Sequence, residues 1–483
     1  MIGKEEILGF AREVGLDSNV VEKDYVLGWM LAGISSHPRT RDTWLFKGGT
    51  CLKKCYFETF RFSEDLDFTL LDSSHVDDVV LRQLFSEITK WVHDQSGIEL
   101  PENERVFEVY INPRAKKSAQ GRLGYRGPMQ RQASLPRIRF DLTDDERVVL
   151  KGERRHVHHP YSDKPEGGIE VLAYCFEEVF AEKLRALAER QRPRDLYDVV
   201  HLYRRAVDIN RASIRTTLAV KCEFKGIAIP TVASLLSSPQ HAELRADWEQ
   251  MLAHQLAGLP PFDSFWDELP SVFAWLEHEE IAPRRPAIGT LHADIDTSWR
   301  VPTMAHSWRA EGIAAPLEIV RFAAANRLCM DLDYRDEQGR VGSRIIEPYS
   351  LRRTKAGDIL LYAVRSDNGQ DRSYRVDRIL GARATSQPFR PRYEVELSLA
   401  APLHVPEISR AVRTSSPSVR PTRTSRPSMS SVRGSGQLRY VFQCVSCGKR
   451  FEHSQYDSML RAHKTKSGYP CPSRIGSYVT TRY

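Results

Sequence analysis

The chain has 483 residues, and at roughly 150 residues per domain it accommodates about three domains with sizeable cores. Hydrophobic residues make up 41% and charged residues 28%, with no run of the roughly 18 apolar residues that a membrane span needs, so no membrane partner is expected. The formal net charge of +7 is unevenly spread: residues 403–483 hold 14 Lys+Arg against 3 Asp+Glu, residues 297–402 hold 17 against 13, and residues 1–296 hold 39 against 47. A surface that meets a polyanion is therefore expected in the C-terminal part. The opening Met1–Gly15 carries acids where a secretory signal would carry a basic region and an apolar core, so a cytoplasmic location is expected. Eight cysteines in so long a chain are not a disulfide framework, and Cys444, Cys447 and Cys471 crowd together near the C-terminus in the manner of a metal site.

Along the chain, apolar residues at Ile7, Phe10, Ala11 and Val14, a stop at Gly15 and a second run through Val20, Val26, Trp29 and Met30 predict a two-helix lead-in over residues 1–35. Thr43–Phe46 reads as a short strand, Gly48-Gly49 as a turn, Thr50 as the opening of a helix and Asp65–Leu70 as an alternating strand. Leu135–Leu142 also alternates, and Pro136 marks it as an edge or a strand start. Phe176, Val179, Phe180, Leu184 and Leu187 recur at helical spacing; Arg192-Pro193 then breaks the run before a second helix, Asp195–Arg205. Residues 206–285 continue mostly helical with Trp248, Trp266 and Trp275 in the core, and Pro283 and Pro286 mark a boundary near 285–305. A helix, Leu317–Ala325, then leads into short strands at Leu328–Tyr334, Arg344–Ile346, Ile359–Val364 and Ser373–Val376, which predicts a small, strongly bent β domain over 305–400. Residues 402–438 are Ser, Pro and Arg with almost no large apolar side chain, a disordered basic linker to a last module at 439–483.

The sharpest constellation is Lys47-Gly-Gly-Thr50 followed by Ser63-Glu-Asp-Leu-Asp67. A glycine pair leading into a helix lets backbone N–H groups approach a phosphate chain, with a Thr hydroxyl as a further donor. Asp65 and Asp67, two apart on a strand, share one face, where their carboxylates can hold Mg²⁺ against a triphosphate. Either motif alone is commonly a plain turn or a pair of solvated acids, and the two together carry the argument.

Five segments, Val21–Tyr25, Phe46–Leu52, Arg61–Phe68, Glu182–Leu187 and Arg194–Asp198, give residues 1–205 a resemblance to the DNA polymerase beta-like nucleotidyltransferases. They resemble in particular the AbiEii/AbiGii toxins of bacterial type IV toxin–antitoxin and abortive-infection systems. The resemblance implies an α+β fold with a polymerase beta-like core and a helical subdomain over residues 1–290. It implies that Gly48, Gly49 and Thr50 cradle the NTP, that Asp65 and Asp67 bind Mg²⁺, that Lys183 contacts the triphosphate and that Asp195 is the acid of the last motif, with Asp198 one turn away as its rival. Asp141, on a predicted strand, is the candidate third carboxylate that activates an attacking hydroxyl, and a surface acid is the alternative. A snorkelling side chain is the alternative for Lys183. The basic residue that follows it is either Arg185 or Arg190, and capping or packing accounts for Lys23 and Asp24.

Arg344–Leu351, Ile359–Ala363 and Arg372–Ile379 resemble a WYL domain, an Sm-like β-barrel. That implies a nucleic-acid or nucleotide ligand, with Tyr349, Arg352, Arg372, Arg375 and Arg378 as the positions to hold it; arginine forks suit phosphate and a tyrosine can stack a base. The alternative is that Arg375 and Arg378 pair with Glu347 and Asp377 and close the barrel. In the tail, Cys444-Val-Ser-Cys447-Gly aims two thiolates at one metal, and His463 and Cys471 complete a tetrahedral structural Zn²⁺ site, His453 being the rival imidazole. Lys449, Arg450, Lys464 and Lys466 would then make it a nucleic-acid-binding finger or merely a soluble one.

Together these expectations describe a Mg²⁺-dependent enzyme that moves an NMP from an NTP to an RNA acceptor, tRNA being the one the resemblance implies, as a toxin in phage defence with a possible cognate antitoxin. The competing expectation is a catalytically silent regulator that responds to nucleotide or nucleic acid, and a protein hydroxyl is the competing acceptor.

Overall fold

The computed structural model describes residues 1–277 apart from 58–59, 113, 132–133 and 207–208, then 285–288, 294–296, 299 and 316–398. In the tail it describes 439–444, 449–453, 460–461, 463, 471 and 476–482. The linker 402–438 and most of the boundary expected near 285–305 lie outside the described residues.

Helices α1 (Lys4–Val14) and α2 (Ser18–Ser36) form the expected lead-in, α1 ending at Gly15 with φ 68° and α2 starting where the Asp17 side chain accepts from the Asn19 N–H. Strand β1 (Trp44–Lys47) runs straight into α3 (Gly48–Cys51), which continues as a π-helical turn over Leu52–Tyr56. The helix thus opens two residues before Thr50, because Gly48 itself takes φ 82° and turns the chain off the strand. Strand β2 (Asp65–Leu70) buries Leu66, Phe68 and Leu70 and turns Asp65 and Asp67 to the opposite face.

Helix α4 (Asp78–Ser96) is capped by Asp77, whose carboxylate accepts from the N–H groups of Val79 and Val80. Its apolar stripe, Leu81, Leu84, Phe85, Ile88 and Val92, packs on the sheet, Phe85 meeting Phe140 edge to face at 4.9 Å between centroids. Burying a side chain such as Phe85 stabilises by about 2–3 kcal/mol. Strands β3 (Arg105–Ile111), β4 (Lys117–Gly124), β5 (Arg137–Thr143), β6 (Glu153–His156) and β7 (Glu170–Ala173) complete a seven-stranded mixed sheet in the order β3-β4-β5-β2-β1-β7-β6. The strand expected at Leu135–Leu142 is β5, begun after Pro136.

The helical part follows as α5 (Phe176–Arg190), α6 (Pro193–Arg205) and α7 (Arg211–Lys225), then the short α8 (Val232–Leu236), α9 (His241–Ala246), α10 (Trp248–Leu252), α11 (Phe262–Trp266) and α12 (Leu269–Glu277). Pro193 occupies the first turn of α6, where its missing N–H has no intrahelical partner to lose. Trp248 is buried with its indole N–H on the Pro260 carbonyl, whereas Trp266 and Trp275 are partly buried against the core.

Helix α13 (Leu317–Asn326) leads into a five-stranded antiparallel sheet: β8 (Leu328–Arg335), β9 (Val341–Arg353), β10 (Ile359–Arg365), β11 (Asp371–Arg375) and β12 (Ile379–Pro388), in the order β11-β10-β9-β8-β12. β9 has 13 residues where the sequence pattern shows only Arg344–Ile346. Pro348 hides the continuation: it sits at a bulge, where the β9–β10 register shifts between Tyr362 and Ala363, so its lack of an N–H is tolerated. A continuous apolar core joins this region to the helices before it; α13 is buried, and Asn326 at its end accepts from the Tyr197 hydroxyl at 2.9 Å.

The described residues from 439 onward belong to a separate unit, in which β13 (Arg439–Cys444), β14 (Arg450–His453) and β15 (Gly476–Arg482) make a three-stranded antiparallel sheet in the order β14-β13-β15. Among the described residues no helix is long and apolar enough to cross a membrane.

Candidate active site and metal centre

The alternation of β2 and β5 decides which acids meet. Their parallel register sets Asp65 beside Arg139 and Asp67 beside Asp141, and because registered neighbours share a face, three carboxylates lie on one side of the sheet. From the other flank, β1 brings Lys47 opposite Asp67. Asp67 also lies against the glycine turn: a Cβ on Gly48 would meet its Oδ2 at 1.9 Å, so glycine is required there both for φ and for space. A Cβ on Gly49 would meet Arg61 Nη2 at 2.5 Å. The Thr50 hydroxyl donates to the Asp65 carbonyl at 2.5 Å, which pins the turn to β2.

Electrostatically these acids are under pressure. Burial, then the neighbouring Asp141 carboxylate, push the Asp67 carboxyl up to about 6 despite Lys47 and Lys183 nearby. Asp65 is also raised, mainly by burial. Asp141 is exposed on β5.

Behind the turn lies a network of the opposite kind. Asp195 and Asp198, on the first turns of α6, are fully buried. Lys183 Nζ, from α5, stands 2.7 Å from Asp198 and 3.7 Å from Asp195. Arg61 grips Asp198 with two N–H groups at 2.8 Å each, and Arg190 grips Asp195 at 2.7 and 2.9 Å. Burial would raise the Asp198 carboxyl, but Arg61 and Lys183 hold it below the usual range. Three cations thus clamp two acids, and both rivals for the last motif belong to one cluster. Of the two arginines left open, Arg190 joins it, whereas Arg185 binds Glu182 and Glu189. Lys23 pairs with Glu64 at 2.6 Å, and buried Asp24 accepts from Lys54 at 2.7 Å, a packing role.

Sequence reasoning gave no role to Lys47 or Arg61, and it missed Arg194. Arg61 stands in a motif segment, but its partner is 137 positions away, so nothing local announces the pair. Arg194 opens α6 with its Nε lacking a hydrogen bond among the described residues, drawn toward Asp65 and Glu64 while burial and Arg61 lower its basicity.

In the five-stranded sheet region, Tyr349 is buried, its hydroxyl donating to Glu347 at 2.9 Å. Arg352 is buried on Glu396, with Nη2 2.9 Å from both carboxylate oxygens. Arg375 bonds Asp377 at 3.0 Å and Asp358 at 2.8 Å, and Arg378 reaches Glu337 at 3.3 Å. Arg372 is exposed and, among the described residues, bonds only its neighbours Asp371 and Gln370.

In the tail, the ligand atoms of Cys444, His463 and Cys471 all lie within 4.8 Å of one another. The two sulfurs are 3.7 Å apart, too far for a disulfide and close to the roughly 3.8 Å edge of a tetrahedron with metal–sulfur bonds of about 2.3 Å. His463 Nδ1 faces the Arg461 carbonyl at 2.9 Å, which leaves Nε2 with its lone pair for a metal. Cys447 lies outside the described residues.

A family model described as nucleotidyl transferase AbiEii toxin, type IV TA system, matches residues 29–274, and one described as WYL domain matches residues 316–384. Among curated proteins nothing matches. Similar solved structures include MenT4, a nucleotidyltransferase toxin from Mycobacterium tuberculosis H37Rv, at 18% identity and TM-score 0.41 over 58% of this chain and 91% of that one. Another is proteasome accessory factor B/C of Arthrobacter aurescens, at 14% identity and TM-score 0.16 over 35% of this chain and 22% of that one.

Proposed function

Because the chain belongs to the AbiEii nucleotidyltransferase toxin family, we propose that it transfers an NMP from an NTP to an RNA acceptor, tRNA in the first instance, and thereby arrests growth in phage defence. The observation that carries this reading is the seating of the Asp67 carboxylate against Gly48, with Asp65 and Asp141 on the same sheet face. A glycine turn placed for phosphate and acids placed for a cation are then one site.

The oxygen-only donor set and the raised Asp67 carboxyl suit Mg²⁺, with Asp65 and Asp67 as ligands. When bound, Mg²⁺ would neutralise charge on the triphosphate. Gly48 and Gly49 would admit the triphosphate to the N–H groups that open the helix and have no partner within it. Thr50 would contribute its N–H and its pinning bond, since its hydroxyl is given to the Asp65 carbonyl. Lys183, held by Asp198 and Asp195, would point a fixed ammonium at the triphosphate, and Asp195 would act by positioning it. An acceptor hydroxyl oxygen then bonds to the α-phosphorus, the bond to pyrophosphate breaks, and Asp141 takes the hydroxyl proton.

The tail would hold a structural Zn²⁺ on Cys444, His463, Cys471 and Cys447, with no open position for catalysis. In the WYL region (residues 316–384), Arg372 is the arginine most available to a nucleotide or nucleic-acid phosphate, while Tyr349 and Arg352 would shape the site from within.

The test is incubation of the protein with each α-³²P-labelled NTP, Mg²⁺ and total RNA beside an Asp65→Ala/Asp67→Ala control. Label in an RNA band that disappears in the control is the expected result. Absence of label from both RNA and added cell extract, while nucleic acid still binds, would replace the enzyme with a silent regulator.

A further inference from the structure

Between the helical part and the five-stranded sheet lies an open cavity of about 890 Å³, within the range of small-molecule sites. It is remote in sequence from the glycine turn and the three aspartates, and none of those residues lines it. Tyr203, Trp275 and Phe389 line it together with several arginines, of which Arg211 lies over the Trp275 ring at 5.7 Å.

Arg327 is the telling residue. It follows α13 in the left-handed conformation, φ 56° and ψ 39°, the position that glycine fills most readily at a helix end. The chain instead places there a long cation, whose guanidinium makes, among the described residues, only a 3.5 Å contact to the Ala324 carbonyl. Burial, then Arg204, Arg285 and Arg205, lower its basicity to about 9, although Glu268 pulls the other way. A backbone held in the left-handed region to present a half-buried cation with one long hydrogen bond asks for a function.

The acids around the cavity do not supply the missing charge. Glu268 is taken by Arg204 at 2.6 Å and Asp263 by Arg245. Asp267 and Glu394 remain, against Arg327, Arg285 and Arg390, which have no carboxylate partner among the described residues. The surplus is cationic, beside aromatic rings.

We propose that this cavity is a second ligand site, for a small organic polyphosphate of nucleoside-polyphosphate size whose charged end meets Arg327, Arg285 and Arg390 and whose ring lies along Tyr203 and Trp275. The site shares helix α6 with the acid pair: Arg204 lies nine residues, about 14 Å, beyond Asp195. Asn326, next to Arg327, takes hydrogen bonds from Tyr197 and His201 of the same helix.

Equilibrium dialysis of labelled ATP against the full chain in EDTA tests the site apart from transfer, because arginine needs no divalent cation to hold phosphate. Arg327→Gly removes the charge while relieving the backbone. The expected result is ATP binding weakened at least about tenfold in Arg327→Gly and several-fold in Arg390→Ser, and unchanged in Asp65→Ala/Asp67→Ala. Equal binding by Arg327→Gly and the parent, no binding by the parent in EDTA at millimolar ATP, or loss of binding in the aspartate variant instead would each overturn the proposal. Should Arg327→Gly not fold, unchanged affinity in Arg390→Ser together with Arg285→Ser would do the same.

Discussion

The face of the mixed sheet and the five-stranded sheet region treat their charges in opposite ways. Asp65, Asp67 and Asp141 share a face with no full set of cations, and Asp67 answers by holding its proton up to about pH 6. In the other region Arg352, Arg375 and Arg378 each already meet a carboxylate, on Glu396, Asp377 and Glu337. A charge that the fold leaves short of partners points to a ligand; a charge that the fold completes belongs to the scaffold. The cluster of Arg61, Lys183, Arg190, Asp195 and Asp198 is also internally paired although it stands beside the first, so its other members would serve the chemistry only by holding the Lys183 ammonium in place.

This contrast breaks most directly by removing the unsatisfied acids. Asp65→Ala/Asp67→Ala is expected to reduce labelling of RNA by about a thousandfold or more while the protein stays folded by circular dichroism, since neither acid makes an ion pair among the described residues. Retained labelling would detach the acids from the reaction. Removing a satisfied charge is expected to act on stability instead. Arg61→Ala leaves Asp198 buried with half its cations and is expected to destabilise by about 3–5 kcal/mol in urea unfolding.

The Arg352–Glu396 pair sharpens the same point. Arg352→Ala alone is expected to lose about 3 kcal/mol, whereas Arg352→Met with Glu396→Leu recovers most of it, because the apolar pair strands no charge. The Ser350 hydroxyl, which also bonds Glu396, limits the recovery.

Acidity should separate the two regions as well. A carboxyl whose folded value is raised favours the folded state while protonated, so without Mg²⁺ the Asp67 contribution disfavours folding above about pH 6 and fades toward the unfolded value near 3.8. The melting temperature of metal-free Asp67→Asn is expected to exceed that of the parent by a few degrees at pH 7.5 and by less at pH 5. Labelling is expected to rise with pH through about 6 at limiting Mg²⁺. The smallest effect is expected at Arg372→Ala, within about 0.5 kcal/mol of the parent in stability because its bonds are local and exposed. Any change it makes would appear in nucleic-acid affinity on a gel.

Much of the site is local and was therefore legible. Gly48-Gly49-Thr50 and Asp65-Leu-Asp67 each lie within a few residues, and the alternation of β2 fixes the shared face of its acids without reference to the rest of the chain. The lead-in helices, the hairpin of α5 and α6 and the spacing of Cys444, His463 and Cys471 are legible for the same reason. Strands β3, β4, β6 and β7 were not picked out, being short or carrying polar residues that blur the period, and Pro348 concealed the length of β9.

What the sequence determined by itself, then, is the set of chemical groups and their order, since glycine turns, strand alternation and helical periodicity act over a few residues. Tertiary structure alone decided which charges are finished. The register of β2 on β5 put Asp141 beside Asp67, Arg61 found Asp198 across 137 positions, and the packing of α13 on α6 opened a cavity around Arg327. Burial and partner distance set a charge's free energy, and both arise only when distant segments pack.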